Sequence, residues 1–144
     1  MKRVVLLGST GSIGTSTIKV AEDLPDYIRL LGLGAGNNAE LLLQQTLKFK
    51  PEAISIGDPE KARELENTLG TSTRVHAGEE GLLALATLPA ADIVLIAIVG
   101  TAGLKPALAA IQAGFRQIPR KNSSTKIGTA ATSVDSGKLP ATGV

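Results

Sequence analysis

The sequence predicts an α/β fold in which helices cover both faces of an open, mostly parallel sheet. Short aliphatic runs alternate along the chain with stretches of helical spacing, an order typical of successive strand–helix units. The aliphatic runs are continuous, as in strands that are buried on both faces. Aromatic residues make up only 2% of the chain, so the core must be built from aliphatic side chains.

A glycine-rich turn joins the first predicted strand, residues 4–7, to the first predicted helix, residues 13–23. Gly8, Gly11 and Gly14 have the spacing G-x-x-G-x-x-G. Gly8 permits the tight turn, Gly11 lets the backbone approach a pyrophosphate, and Gly14 lets the helix pack closely on the strand. The N–H groups at the helix start then face the phosphates. This arrangement is typical of a Rossmann-like dinucleotide-binding unit.

Hydroxyl side chains in this turn bear on whether it binds a ligand. Ser9, Thr10 and Ser12 can each donate a hydrogen bond to a phosphate oxygen. In a turn without a ligand they would be simple helix caps. The hydroxyls favour a phosphate site, and a tight turn with no ligand remains the alternative.

The second predicted strand, residues 28–33, ends in a polar loop with the sequence G-A-G-N-N at residues 34–38. In NAD-binding units an acidic side chain here holds the ribose 2′-hydroxyl. This loop has no acid, and glycine amides and asparagine side chains can donate to a 2′-phosphate. The loop therefore predicts NADP(H). The alternative is a simple turn with an asparagine in the left-handed conformation.

The later elements follow the same alternation. Further strands are predicted at Ala53–Ile56, Arg74–Ala77 and residues 92–98, and further helices at Ala39–Phe49, Pro59–Leu69 and residues 82–87 and 104–113. The charged residues of the third helix predict a solvated face: Glu60, Lys61, Arg63, Glu64 and Glu66. We interpret Glu79 and Glu80 as helix-start carboxylates that the helix dipole stabilises, and predict no catalytic residue among them.

Residues 119–144 are polar and show no periodicity, so we predict a nucleotide-binding domain at residues 1–118 and a disordered tail at 119–144. The tail carries a net charge of +3, whereas the whole chain carries +2, so residues 1–118 carry −1. The basic balance therefore belongs to the tail and does not indicate nucleic-acid binding.

Several classes of site are disfavoured by composition. The chain has no cysteine, and His76 is its only histidine, which excludes thiolate chemistry and a histidine-rich metal site. No apolar run reaches membrane-spanning length and no targeting signal is visible, so we expect a cytoplasmic protein without a membrane partner.

Three stretches resemble the 1-deoxy-D-xylulose 5-phosphate reductoisomerase family, in its N-terminal NADPH-binding domain. They are L-G-S-T-G-S-I-G from Leu7, A-G-E-E-G-L from Ala77 and A-I-V-G-T-A-G-L from Ala97. The resemblance covers about residues 1–114. After Gly114 the family continues into an Asn-Lys-Glu motif and a metal-binding catalytic domain, which this sequence lacks. We therefore expect a truncated or frame-shifted product.

The resemblance implies a cofactor site. Thr10, Gly11, Ser12 and Ile13 would hold the NADPH diphosphate region, next to Gly8 of the turn. Gly36, Asn37 and Asn38 would lie near the adenosine 2′-phosphate; relatives often have a basic residue at position 37. The intact family also uses Mg²⁺ or Mn²⁺, whose ligands are not in this chain, and a sugar-phosphate substrate, and a homodimer is expected.

Two functions remain after this comparison. The chain is either the NADPH-binding part of a reductoisomerase, inactive alone, or a non-catalytic NADP(H)-binding regulatory module. In the intact family, 1-deoxy-D-xylulose 5-phosphate becomes 2-C-methyl-D-erythritol 4-phosphate in non-mevalonate isoprenoid synthesis. A short-chain dehydrogenase is disfavoured, because Tyr27 is the only tyrosine and Tyr-x-x-x-Lys is absent.

Overall fold

The computed structural model describes residues 1–98, 100–114, 116–118 and 132–135. Its strands are β1 (Lys2–Leu7), β2 (Ile28–Ala35), β3 (Ala53–Ile56), β4 (Arg74–Ala77), β5 (Ile93–Ile96), β6 (Arg116–Ile118) and β7 (Thr132–Asp135). Its helices are α1 (Ser12–Asp23), α2 (Ala39–Phe49), α3 (Pro59–Leu69), α4 (Gly78–Ala86) and α5 (Leu104–Gln112), and a 3₁₀ turn spans Gly100–Gly103.

The strands form one sheet in the order β4-β3-β2-β1-β5-β7-β6. The first five of these pair in parallel, whereas β7 pairs antiparallel with both β5 and β6. The chain proceeds outward from β1 through β4 and then returns to place β5 on the other side of β1. The strand order therefore reverses at β1, which creates the crevice where open α/β sheets bind ligands.

Helices pack on both faces of this sheet, which confirms the predicted fold class. The core beneath α1, α2 and α3 includes Val4, Leu6, Ala21, Leu30, Leu33, Leu42, Ile54 and Leu65. The core beneath α4 and α5 includes Val5, Leu7, Leu31, Leu85, Val94, Ile96 and Ala110. Alternate β1 residues thus enter opposite cores, as the continuous apolar run predicted.

A bulge in β2 determines what lies beneath α4. Val4 pairs with Leu30 but Val5 pairs with Gly32, so one extra β2 residue is inserted between them. Beyond the bulge, Gly34 faces α4. A Cβ on Gly34 would lie 3.1 Å from Leu82 Cδ2 of that helix. The bare backbone of β2 therefore lets α4 approach the sheet closely.

Several predicted boundaries differ from the structure. β1 begins two residues earlier than predicted, at Lys2, and β5 is shorter, at Ile93–Ile96. β2 continues two residues past its predicted end, because Gly34 and Ala35 pair with Ser55 and Ile56 of β3. α4 begins at Gly78, four residues before its predicted start, so that both glutamates lie in its first turn. Pairing partners and helix caps set these ends, and the hydrophobic pattern does not report them.

Residues 115–119 lack the apolar run expected of another strand, and the tail after them is predicted to be disordered. The structure differs at β6 and β7. The edge of β5 offers unpaired backbone N–H and C=O groups, and β7 satisfies them through Ile93 to Asp135 and Ile96 to Thr132 pairing. Backbone pairing of this kind needs no apolar pattern. The other residues of 119–144 lie outside the described part of the chain.

In the part of the chain that the structure describes, no helix combines the length and the apolar character that crossing a membrane requires.

Candidate functional site

The glycine turn lies at the carboxyl end of β1, between β2 and β5. The backbone N–H groups of Gly8 and Ser9 both donate to Gly34 O, at 2.8 and 2.9 Å. Gly8 has a φ of 94°, a value that favours glycine, and a Cβ there would overlap Ala97 O at the end of β5. The turn is therefore fitted into the crevice at the point where the strand order reverses.

The other two glycines of the turn differ in the space around them. A Cβ on Gly14 would overlap the carbonyl of Gly8, so glycine is required for the turn to fold back on α1. At Gly11 the nearest atom to such a Cβ is Gly8 O, at an ordinary 3.8 Å. The protein leaves the space above Gly11 open, which suits the approach of a pyrophosphate. Gly14 thus packs against the turn itself, where the sequence predicted packing against the strand.

The start of α1 leaves its N–H groups for an external acceptor. Gly11 is the N-cap residue, no side chain caps the helix, and no acidic residue occupies the first turn. The N–H groups of Ser12, Ile13 and Gly14 precede the first intrahelical bond, from Thr15 N to Gly11 O at 2.8 Å. An uncapped helix start with its positive dipole end exposed is suited to an anion.

The three hydroxyls of the turn do not share one role. Thr10 is half-buried and Ser12 is exposed, so both remain predicted phosphate donors. Ser9 is fully buried, with its Oγ shielded from solvent. Its carbonyl accepts a hydrogen bond of 3.0 Å from Nε2 of Gln45, which is also buried. The suggestion that Ser9 donates to phosphate is therefore wrong: Ser9 connects the turn to α2.

The loop after β2 consists of Gly36, Asn37 and Asn38, all exposed. Asn38 Oδ1 caps α2 by accepting from Leu41 N at 3.1 Å, which leaves its Nδ2 group to donate elsewhere. In the described residues only Lys50, in another loop, combines positive φ with a side chain. The alternative of a left-handed asparagine turn is thus not what the structure shows.

A cleft of about 490 Å³ joins the glycine turn to this loop. Its floor is the carboxyl ends of the parallel strands, and its apolar walls are Leu82, Ile98 and Ala102. An exposed ion pair of 2.8 Å between Glu79 Oε1 and Lys105 Nζ joins the starts of α4 and α5 at its rim. The hydrogen bond that Lys105 donates to Glu79, together with the negative charge of Glu79, raises the pKa of Lys105 above its usual range.

Two polar contacts of the site were not predicted from the sequence. Gln45 reaches the glycine turn from α2, and Lys61 Nζ donates to Asn37 O from α3 at 2.7 Å. Lys61 is half-buried, so it does not belong to the predicted solvated face of α3. Because β2 and β3 are parallel neighbours, the start of α3 lies beside the loop after β2. This adjacency could have predicted that a residue such as Lys61 contacts that loop.

In the described residues, no group of three or more His, Cys, Asp and Glu side chains lies close enough together to hold a metal ion. His76 is half-buried on β4, where it pairs in register with Ser55 of β3.

Comparison with known proteins agrees with this geometry. A family model described as 1-deoxy-D-xylulose 5-phosphate reductoisomerase matches residues 4–119. The chain belongs to the 1-deoxy-D-xylulose 5-phosphate reductoisomerase family. The match includes the glycine turn, the loop after β2 and the whole cleft, and it extends five residues beyond Gly114.

Relatives in this reductoisomerase family are longer than this chain. The enzyme of Thermosynechococcus vestitus is 45% identical over 130 residues, which is 88% of this chain and 31% of the relative. That of Geobacter sp. strain M21 is 48% identical over 115 residues, 79% of this chain and 30% of the relative. The chain thus spans about three tenths of the length of the curated relatives it matches.

Solved reductoisomerase structures have the same fold. A crystal structure of a reductoisomerase in complex with NADPH, fosmidomycin and magnesium superposes with a TM-score of 0.75 and 35% identity, covering 81% of this chain and 29% of that chain. The Zymomonas mobilis reductoisomerase in complex with NADPH gives a TM-score of 0.69 and 34% identity, covering 78% and 30%.

Proposed function

We propose that this chain is the NADPH-binding part of a 1-deoxy-D-xylulose 5-phosphate reductoisomerase. The observation that carries the proposal is the uncapped start of α1, reached over the open backbone of Gly11 and located beside a loop without acidic residues. Family membership supports the same assignment. We assign the nucleotide-binding domain to residues 1–118 and regard 119–144 as a separate polar segment.

The diphosphate region is assigned to the glycine turn and the first turn of α1. Gly8 shapes the turn, and Gly11 leaves room for the phosphates. The backbone N–H groups of Ser12 and Ile13 and the hydroxyls of Thr10 and Ser12 supply the donors. Because these donors are held by the turn before any ligand arrives, binding requires little rearrangement.

The adenosine end is assigned to the loop and the cleft. The apolar walls Leu82, Ile98 and Ala102 suit the faces of an adenine ring. Gly36, Asn37 and Asn38 then face the ribose, with amide donors and no carboxylate to repel a 2′-phosphate. The arrangement favours NADPH over NADH.

The remaining machinery of the reaction is assigned to protein outside this segment. NADPH supplies the hydride, and the described residues contribute by binding and orienting it. The sugar-phosphate substrate and the Mg²⁺ or Mn²⁺ ligands belong to the catalytic domain of the intact enzyme, for which we also expect a homodimer in the cytoplasm. On this proposal the present chain is inactive by itself.

Titration of the purified chain with NADPH and NADH, followed by cofactor fluorescence, tests the proposal. We expect saturable NADPH binding that is at least about tenfold tighter than NADH binding, a difference of about 1.4 kcal/mol. Equal or tighter binding of NADH would contradict the assigned loop. Loss of both signals would contradict a cofactor site altogether. A regulatory module would bind the cofactors in the same way. The two functions are distinguished by fusing the family's catalytic domain after residue 118, because only the NADPH-binding part of a reductoisomerase should then give activity.

A further inference from the structure

The third residue of α3, Lys61, contacts the loop to which the 2′-phosphate is assigned. Its Nζ donates to Asn37 O at 2.7 Å. The loop after β2 and the loop that joins β3 to α3 are in direct contact, since Gly57 N donates to Gly36 O at 2.9 Å. A Cβ on Gly57 would lie 2.7 Å from that same oxygen. Lys61 is therefore positioned by backbone packing between two adjacent loops.

The ammonium group of Lys61 keeps its charge available. In the described part of the chain, the ion pairs involve other cations: Arg3 pairs with Asp92, Lys48 with Glu22 and Lys105 with Glu79. Lys61 instead donates to a neutral carbonyl, which uses one of its three N–H donors. Two donors and the positive charge remain for an anion beside Asn37.

Two acidic residues lie close to Lys61 in the sequence, and among the described residues neither of them is its ion-pair partner. Asp58 caps α3 by accepting from Glu60 N at 2.9 Å, and the side chain of Glu60 is exposed to solvent. Neither forms an ion pair with Lys61 in the described part of the chain. The start of α3 adds its positive dipole end on the same side.

We propose that Lys61 is a specificity-determining residue that binds the 2′-phosphate of NADPH. This inference rests on the proposed function and assigns to α3 a contact that the β2 loop cannot supply alone, because that loop contains no cation. The ammonium group of a lysine pairs its own positive charge with the phosphate, whereas the amides of Asn37 and Asn38 offer neutral donors, so the lysine contact is the stronger one. Lys61 distinguishes NADPH from NADH, which has a hydroxyl at that position.

Three substitutions separate charge from loop structure. Lys61→Gln keeps a donor that can reach towards Asn37 O but removes the charge, and Lys61→Arg keeps the charge. Arg63→Ala is the matched control, because Arg63 is an exposed cation two residues later on the same helix. Binding of NADPH, NADH and adenosine 2′,5′-bisphosphate is measured by titration, with thermal unfolding of each variant as a check on folding.

We expect Lys61→Gln to weaken NADPH and adenosine 2′,5′-bisphosphate binding about tenfold and to leave NADH binding within about twofold. Lys61→Arg and Arg63→Ala should bind NADPH nearly as the parent does. The parent should also lose NADPH affinity with added salt more steeply than Lys61→Gln.

Other outcomes distinguish the role of Lys61 from the cofactor site as a whole. Equal weakening of NADPH and NADH would mean that Lys61 only holds the loop, and unchanged NADPH binding would mean that it makes no contact. Both results overturn the inference and leave the proposed function standing. A parent chain that binds neither cofactor would overturn the proposed function, and the role of Lys61 with it.

Discussion

Gln45 is the residue through which α2 holds the glycine turn. Its side chain is 5% exposed, and Nε2 donates to Ser9 O, inside a region where Ser9 is fully buried. A buried carbonyl that loses its donor retains the cost of its desolvation. The geometry of the glycine turn therefore depends on Gln45, a side chain that does not line the cleft.

Gln45→Ala should lower the free energy of unfolding by about 1–3 kcal/mol, because the Ser9 carbonyl is left unsatisfied. It should also weaken NADPH and NADH binding equally, since the turn serves both. The control is Gln44→Ala: the neighbouring glutamine is exposed, and its loss should change stability by less than about 0.5 kcal/mol. Urea denaturation gives the comparison, and equal stabilities would show that the buried hydrogen bond is unimportant.

Gly11 and Gly14 should respond differently to an added side chain. Gly11→Val has room in the fold and an extended backbone conformation, φ −79° and ψ −179°, so it should remain folded while NADPH binding falls more than about tenfold. Gly14→Ala overlaps the Gly8 carbonyl and should lose at least about 2 kcal/mol of stability. Circular dichroism melts and cofactor titration measure both. Normal NADPH binding by folded Gly11→Val would show that the turn is structural only.

At the scale of elements, an ion pair between Arg3 and Asp92 links β1 to β5 at the amino ends of the two strands. The Asp92 carboxylate accepts from the backbone N–H of Arg3 at 2.8 Å and from Arg3 Nε at 3.3 Å. The side-chain bond from Arg3 and its backbone N–H hold the pKa of Asp92 below its ordinary value of 3.8. This pair stabilises the contact between β1 and β5, whose carboxyl ends border the crevice.

Asp92→Ala should cost about 1 kcal/mol at neutral pH, a small value because the Asp92 side chain is 26% exposed. A lowered folded-state pKa means that the carboxylate stabilises the fold above about pH 4, and that this contribution is lost as the pH falls through the folded pKa. The stability difference from the parent should therefore shrink below pH 4. Denaturant curves at pH 7 and pH 3 test this, with exposed Asp26→Ala as control; a constant difference would contradict it.

The elements predicted from the sequence were those whose pattern is local. The buried strands and the helices from α1 to α5 follow from apolar runs, prolines and glycines, and so their existence is predictable. Gln45 and Lys61 act on residues 36 and 24 positions away, which periodicity cannot report. β7 pairs through its backbone with an open strand edge, so a polar sequence serves equally well.

At the scale of the whole molecule, the described residues form the proposed cofactor site, and among them no cluster of acidic and histidine side chains is suited to hold a metal ion. Reductoisomerase chemistry requires a divalent metal held by acidic ligands. The candidate carboxylate Glu79 is paired with Lys105 at the rim of the cleft, on a helix start. Binding and catalysis are thus expected to separate in this chain.

The chain alone should not oxidise NADPH when given 1-deoxy-D-xylulose 5-phosphate with Mg²⁺ or Mn²⁺. The measurement is loss of NADPH absorbance at high protein concentration, with an intact relative as positive control. Turnover above background that disappears in Gly11→Val would refute this expectation. It would mean that residues outside the described part, or an oligomer, complete the site.

Gly34 joins the interior of the molecule to the cleft. Its carbonyl accepts the hydrogen bonds that hold the glycine turn, its backbone lines the cleft, and its missing side chain makes room for Leu82, which lines the same cleft. Hence the width of the cleft depends on the packing of the core between β2 and α4. A lineage that acquires a side chain at position 34 must also adjust Leu7 and Leu82, whose methyl groups would both lie 3.1 Å from the new Cβ, so these three positions are expected to evolve together.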